Sequence, residues 1–212
     1  MPALEQLLPF AVALLFLQIT PGPDMMLVIG RGVGQGRRIA LMTVVGMIFV
    51  SGVFQVAALV GGVASLLQAW PQALRALRWI GAAYLAWLGL RLLVASRQGA
   101  AARQVPWVSA WTAVRDGAVN NLTNPKSFLF MFAFVPQFVD AAAGPVWLQL
   151  LVLGSLQKLS GFVVLGAVAL ASGAVGRWLG RWPALLSWQH RFTGGVMLAL
   201  AVRLALEGLA TG

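Results

Sequence analysis

Two charged residues follow proline-led interruptions of otherwise apolar sequence, and their charges are opposite. Asp24 ends the segment Pro21-Gly22-Pro23-Asp24, and Lys126 ends the segment Asn124-Pro125-Lys126. An ionisable side chain at the centre of a membrane helix costs about 2.5 to 3.5 kcal/mol, so these residues are functional candidates. A carboxylate and an ammonium group at equivalent breaks suit a small zwitterion. We predict that Lys126 holds a carboxylate and that Asp24 receives an ammonium group or a proton.

The sequence contains only two lysines, and the second one, Lys158, also lies inside an apolar segment. Lys126 would oppose the dipole of a helix that begins beside it, unless an anion is bound there. Asp24 is favourable in a first helical turn without any further role, and an Asp24–Lys126 ion pair that only joins two helices is a second alternative. Both alternatives stay open at the level of the sequence.

The prolines predict helix breaks, because proline lacks an N–H group and clashes with the preceding turn. Asn124 is expected to cap a helix that restarts at Pro125. Around Pro21 and Pro23, either Thr20 or Gly22 is available as the equivalent cap. Irregular backbone inside a membrane is tolerated where protein or a wet cavity satisfies it, so both breaks are expected to line a cavity.

The two halves of the chain carry matching motifs. A shift of 102 residues superimposes the following pairs: Gln18 and Asn120, Pro23 and Pro125, Asp24 and Lys126, Gly52 and Gly154, Gln55 and Gln157. Arg91 and Arg203 match at a shift of 112 residues. A three-helix unit used twice must appear in opposite orientations, as in many secondary transporters. Gln55 and Gln157 are expected either to line the cavity or to bond across helices.

Composition predicts the fold class, because 60% of the residues are hydrophobic and 9% are charged. Six apolar stretches approach or exceed the about 20 residues that span a bilayer: roughly Leu4 to Ile29, Ala40 to Leu67, Ala73 to Val94, Ala118 to Val135, Val146 to Val175 and Phe192 to Leu206. We therefore predict an all-α integral membrane protein with six transmembrane helices, of which the first and fourth are broken. One transmembrane domain, 1–212, would contain inverted repeats at about 1–96 and 108–212.

The formal net charge of +10 reflects arginines spread between the predicted spans. They form no basic patch, so nucleic acid is not expected as a partner. The positive-inside rule places the arginine-rich connections in the cytoplasm and both termini outside. The segment Gly30-Arg31-Gly32-Val33-Gly34-Gln35-Gly36 lacks the spacing of a phosphate-binding loop, and we interpret it as a flexible cytoplasmic loop.

Catalysis and metal binding are not expected. The sequence has no cysteine and one histidine, His190, which lies in a predicted loop. Asp24 is the only acidic residue predicted deep in the bundle. We therefore predict no catalytic residues, no metal and no cofactor, and we expect a transporter rather than an enzyme. A passive channel or facilitator for small polar solutes remains the alternative, because residue spacing does not reveal coupling to protons.

The motifs resemble those of a known family. Thr20-Pro21-Gly22-Pro23-Asp24-Met25-Met26 and Asn121-Leu122-Thr123-Asn124-Pro125-Lys126 are similar to the proline motifs of the RhtB branch of the LysE amino-acid exporters. The resemblance extends to Gly81-Ala82-Ala83-Tyr84-Leu85-Ala86-Trp87-Leu88-Gly89-Leu90-Arg91. It implies export of amino acids or close derivatives across the bacterial inner membrane, driven by the proton gradient as an antiport, with the proline breaks at the centre of the protein. The termini that the positive-inside rule places outside would then lie in the periplasm. The family commonly has Asn or Asp at the position of Asp24. The expected partners are a small substrate, protons and the bilayer, and a homo-oligomer is left open.

Overall fold

The structure is a computed structural model. It describes residues 4–19, 21–70, 73–95 and 107–181, together with 188, 191–192, 194–195, 197–199, 201–202 and 205–206. Within these residues the secondary structure is helical and contains no strand. The sequence motifs at Thr20, His190 and Arg203 lie outside the described residues, as does part of the predicted sixth span.

Nine α-helices are assigned within the described part of the chain. They are α1 (Leu4–Ile19), α2 (Pro23–Gln35), α3 (Arg37–Val45), α4 (Ser51–Ala58), α5 (Ala64–Ala69), α6 (Ala73–Ala95), α7 (Ala110–Thr123), α8 (Pro125–Leu129) and α9 (Val146–Arg181). Two π-helical turns, Gly46–Val50 and Leu59–Val63, join α3, α4 and α5 into one helical run. A π-helical turn, Phe130–Phe134, and a 3-10 turn, Val135–Phe138, continue α8.

Two helical stretches are long and apolar enough to cross a membrane, namely Arg37–Leu67 and Val146–Ala174. The pair Leu7–Ile19 and Pro23–Gln35, bent by 44°, makes a third if it forms one span. These are the spans found among the described residues by length and composition. The all-helical class and its membrane character agree with the sequence, whereas six spans in two inverted repeats stay a prediction.

Large apolar side chains cover much of the outer surface. Leu8, Val53 and Val163 are each about two thirds exposed or more. A soluble protein rarely exposes large contiguous apolar patches, whereas lipid chains solvate them. Inside, one core cluster surrounds Phe10 and Met131, and a second surrounds Val28 and Met47.

Helix α7 approaches α3 and the π-helical turn that follows α3 at two glycines, Gly117 and Gly46. A Cβ atom on Gly117 would lie 2.2 Å from the Thr43 carbonyl oxygen, and one on Gly46 would meet the Val114 carbonyl oxygen. The absence of a side chain is therefore required at both positions. This contact fixes α7 against the helical run that begins at α3.

The interpretation of the glycine-rich segment as a flexible loop is wrong. Helix α2 continues through it to Gln35, and the left-handed residue Gly36 (φ 89°) separates α2 from α3. Tertiary packing explains the difference, because a Cβ on Gly32 would lie 2.0 Å from Ser172 Oγ of α9. Arg31 is also buried rather than in a loop, and its guanidinium donates to Asp116 Oδ2 of α7 at 2.9 Å.

Candidate functional site

Helix α1 ends at Ile19, and α2 begins at Pro23. Gly22 occupies the N-cap position with extended backbone (φ −146°, ψ −177°). Pro23 follows at the first position of the helix, where a backbone N–H would have no intrahelical acceptor, so the proline costs no hydrogen bond. Pro21 belongs to the short non-helical link. Asp24 lies in the first turn of α2, so the link and the cap together fix where its carboxylate points.

Asn124 separates α7 from α8. Its backbone is extended (φ −71°, ψ 109°), and its side chain accepts a hydrogen bond from the Lys126 backbone N–H at 3.0 Å. Pro125 begins α8, and Lys126 follows in the first turn. Asn124 is buried, and its amide is thus the cap of the helix that carries Lys126.

A cavity of about 40 Å³ lies between these two breaks. Most of the predicted binding residues line it: Gly22, Asp24, Asn124, Lys126, Gln157 and Lys158. The remaining wall is formed by Leu17, Gln18, Met25, Ile48, Asn121, Ser127, Gly161 and Leu165. Gln55 is buried but is not part of the wall. The structure therefore brings together residues from both halves of the sequence, and it assigns Gln55 to a bond between helices.

The Asp24 carboxylate is held from α7. Asn120 Nδ2 donates to Oδ1 at 2.6 Å, and Asn121 Nδ2 donates to Oδ2 at 2.7 Å. Both carboxylate oxygens are thus engaged by another helix, rather than serving only as a cap for α2. The bonds join α2 to α7 at the wall of the cavity.

Asn121 connects two other residues of the cavity wall, Asp24 and Lys158, with two buried residues behind it, Ser51 and Gln55. Besides its bond to Asp24, its Oδ1 accepts from Lys158 Nζ at 3.0 Å and from Ser51 Oγ at 2.7 Å. Its backbone carbonyl accepts from Gln55 Nε2 at 3.5 Å. Asn121 is 3% exposed, so its amide organises α2, α4 and α9 around one buried point of α7.

Each lysine of the cavity packs against a glycine. A Cβ on Gly22 would lie 3.3 Å from Lys126 Cδ, and a Cβ on Gly52 would lie 3.3 Å from Lys158 Cδ. The Asp24 carboxylate attracts both ammonium groups. The ionisable side chains in the described wall are thus two ammonium groups and one carboxylate, which leaves an excess of positive charge.

Two polar atoms of the wall are buried and have no hydrogen-bond partner among the described residues. They are Gln157 Oε1 and Ser127 Oγ. Gln18 lies beside them and donates to the Gln157 carbonyl at 3.3 Å and to Ser160 Oγ at 3.2 Å. Because unsatisfied buried polar groups are rare in proteins, these atoms are suited to a bound polar molecule.

Sequence reasoning missed Asn121 and Ser127 as residues of the site. In the sequence, Asn121 belongs to the second proline motif, but no pattern there assigns a partner to its side chain. Its role depends on contacts with α2, α4 and α9. The contacts of Ser127 depend on packing, and no pattern in the sequence marks it.

Comparisons with known proteins agree on one family. The model of the LysE type translocator family matches residues 15–208. A leucine efflux protein of Enterobacter sp. (strain 638) is 29% identical over 92% of this chain and 93% of its own length. An uncharacterized membrane protein of Vibrio cholerae is 30% identical, over 93% and 95%, and a leucine efflux protein of Klebsiella pneumoniae is 27% identical, over 93% of each. No solved structure matches the chain.

Proposed function

Because the chain belongs to the LysE type translocator family, which makes it a membrane transporter and not an enzyme, we propose that it exports amino acids or closely related small zwitterions. Export takes place across the bacterial cytoplasmic membrane, in exchange for protons. The two relatives named as leucine efflux proteins make leucine the first substrate to test.

The main support for a zwitterionic substrate is the charge of the cavity wall. Lys126 and Lys158 both line it, and Asp24 is the one acidic residue in the described wall. A substrate carboxylate beside the lysines balances the excess positive charge, and a charge-assisted hydrogen bond of this kind is worth about 1.5 to 3 kcal/mol. The unpartnered Ser127 Oγ and Gln157 Oε1 supply further polar contacts.

Asp24 is the proposed coupling residue. Its two amide partners hold the carboxylate at the wall of the cavity, where it has access to the substrate ammonium. When the substrate ammonium leaves, a proton takes its position on the carboxylate. Proton and amino acid therefore compete for one group, which is the requirement for antiport.

The proposed architecture has six spans in two inverted repeats within one transmembrane domain, with both termini in the periplasm. The helix starts support this arrangement, since Gly22 and Asn124 are both extended N-caps followed by proline and then by the charged residue of the site. The two repeats rock about the cavity to open it to either side.

Proteoliposomes with an acidic lumen and labelled leucine outside test the mechanism. Outward proton movement should accelerate leucine uptake by the wild type. Asp24→Asn should still exchange leucine for leucine, at a rate lowered by the loss of its charged contact to the substrate ammonium. It should lose the acceleration by the proton gradient, because the amide cannot carry a proton. Lys126→Met should lose both, with exchange reduced roughly 10-fold or more when one charged contact is removed.

Asp140→Asn is the matched control for the loss of an acid. Asp140 caps the Ala142 N–H outside the cavity, so this variant should respond to the proton gradient as the wild type does. Proton-driven uptake at the wild-type rate in both site variants refutes the mechanism. Leucine flux that ignores the proton gradient even in the wild type indicates a passive facilitator instead.

A further inference from the structure

A second, apolar cavity adjoins the site. It has a volume of about 10 Å³, close to that of one water molecule on this measure. Its wall consists of Leu17, Gly81, Tyr84, Lys126, Leu129, Phe130, Phe134 and Met197. Leu17 and Lys126 belong to the walls of both cavities, so the apolar space begins where the polar site ends.

The chemistry of this wall differs sharply from that of the first cavity. Leucine, phenylalanine and methionine side chains dominate, and the stem of Lys126 is itself aliphatic. An apolar cavity of this kind stays dry and binds apolar groups. The Tyr84 hydroxyl is buried and has no partner among the described residues.

We propose that this cavity is the side-chain subsite of the transporter and that it selects amino acids with an aliphatic side chain. The inference rests on the proposed function. A carboxylate bound at Lys126 places the substrate Cα at the shared wall, and the side chain then extends into the apolar cavity, while its ammonium faces Asp24. The charged groups of the substrate thus contact the polar cavity, and its side chain contacts the apolar one.

The subsite must widen to hold a side chain, and its wall permits this. Met197 is 2% exposed and, with Leu17 and Phe130, belongs to the core cluster around Phe10. Methionine is unbranched and flexible, so it adjusts to irregular space more readily than other apolar residues. Met197 is therefore the residue whose truncation should change the size of the subsite most directly.

Competition against labelled leucine in proteoliposomes measures the selectivity. In the wild type, leucine should compete at least roughly 10-fold better than alanine, as expected when several methylene groups enter an apolar pocket. Met197→Ala should shift selectivity toward the larger phenylalanine by roughly 10-fold. Leu129→Phe, which fills the cavity, should weaken leucine binding far more than alanine binding.

Met47→Ala is the matched control for Met197→Ala. Met47 is fully buried, but it belongs to the core cluster around Val28 and lines neither cavity. Its truncation should lower thermal stability to a similar degree and leave selectivity unchanged. If Met197→Ala and Met47→Ala shift selectivity equally, the subsite is refuted. Loss of core packing alone would then explain the change in selectivity.

Three further outcomes distinguish the subsite from the proposed function. Leucine transport that depends on Lys126, with selectivity unaffected by Met197→Ala and Leu129→Phe, refutes the subsite and leaves the proposed function standing. Wild-type protein that transports no amino acid refutes the proposed function itself. Threonine that competes better than leucine assigns the Tyr84 hydroxyl to a hydroxylated substrate and refutes the aliphatic selectivity.

Discussion

Replacing Asn121 with alanine tests whether this amide organises the site. The substitution removes the donor to Asp24 and the acceptor that Lys158 and Ser51 share. It leaves the backbone carbonyl that accepts from Gln55 in place. The side chain is 3% exposed, so water does not readily replace what is lost.

The expected loss of stability follows from the groups that lose a hydrogen bond to the Asn121 side chain. Lys158 is 6% exposed, and among the described residues its ammonium donates to Asn121 Oδ1. Leaving that buried ammonium group unsatisfied should cost about 2 kcal/mol. Ser51 keeps the Met47 carbonyl as an acceptor for its hydroxyl, so its share is small. Asp24 is partly exposed and keeps its bond to Asn120, so its share is also small. We expect the free energy of unfolding to fall by about 2 kcal/mol.

Chemical unfolding in detergent micelles measures this change, with Asn120→Ala as the matched control. Among the described residues the Asn120 side chain makes one hydrogen bond, to the partly exposed Asp24, so truncating it should cost about 1 kcal/mol. Combining Asn121→Ala with Lys158→Met should recover about 1 to 2 kcal/mol relative to the sum of the single changes, because the stranded charge is gone. Equal losses at the two asparagines, or purely additive behaviour with Lys158→Met, contradict the assigned role.

Three further predictions concern the helices that carry the site. Arg31 and Arg115 both contact the Asp116 carboxylate, but Arg31 is 4% exposed and Arg115 is 68% exposed. Chemical unfolding should show that truncation to alanine costs about 2 kcal/mol at Arg31 and less than about 0.5 kcal/mol at Arg115. Gly117→Ala should destabilise by about 2 kcal/mol because its Cβ meets the facing backbone, whereas Gly166→Ala in open space should stabilise by up to about 1 kcal/mol. Asn124→Ala should lower the melting temperature through the loss of about 1 kcal/mol of capping, and Asn124→Ser should restore most of it; the same loss in both variants argues against a cap.

The sequence predicted what depends on composition. Apolar content indicates a membrane protein whatever the neighbours of each helix are. Lys126 and Lys158 stood out because buried ammonium groups are costly. Both conclusions need no knowledge of neighbours, and the structure places both lysines at one cavity.

What the sequence did not predict depends on neighbours. The glycine-rich end of α2 has poor helix propensity, yet contacts with α9 and the bond between Arg31 and Asp116 hold it in a helix. The role of Asn121 likewise requires knowing that α2, α4 and α9 all meet one turn of α7. These contacts join residues far apart in the chain, so local patterns carry no record of them.

The size of the polar cavity constrains the transport cycle. About 40 Å³ holds roughly three waters, which is too little for an amino acid, so the wall must widen when substrate binds. We expect α2 and α7 to separate in this step. They are joined at Asp24 and again at Arg31, which lies about 10 Å further along α2 at 1.5 Å per residue. The second joint must therefore break before the cavity opens toward that end. Its Asp116 carboxylate is 30% exposed, so water can take over its hydrogen bonds as the helices part. Asp116→Asn, which weakens the joint but keeps an oxygen acceptor, should thus speed leucine exchange, and a slower exchange with intact folding contradicts this order of events.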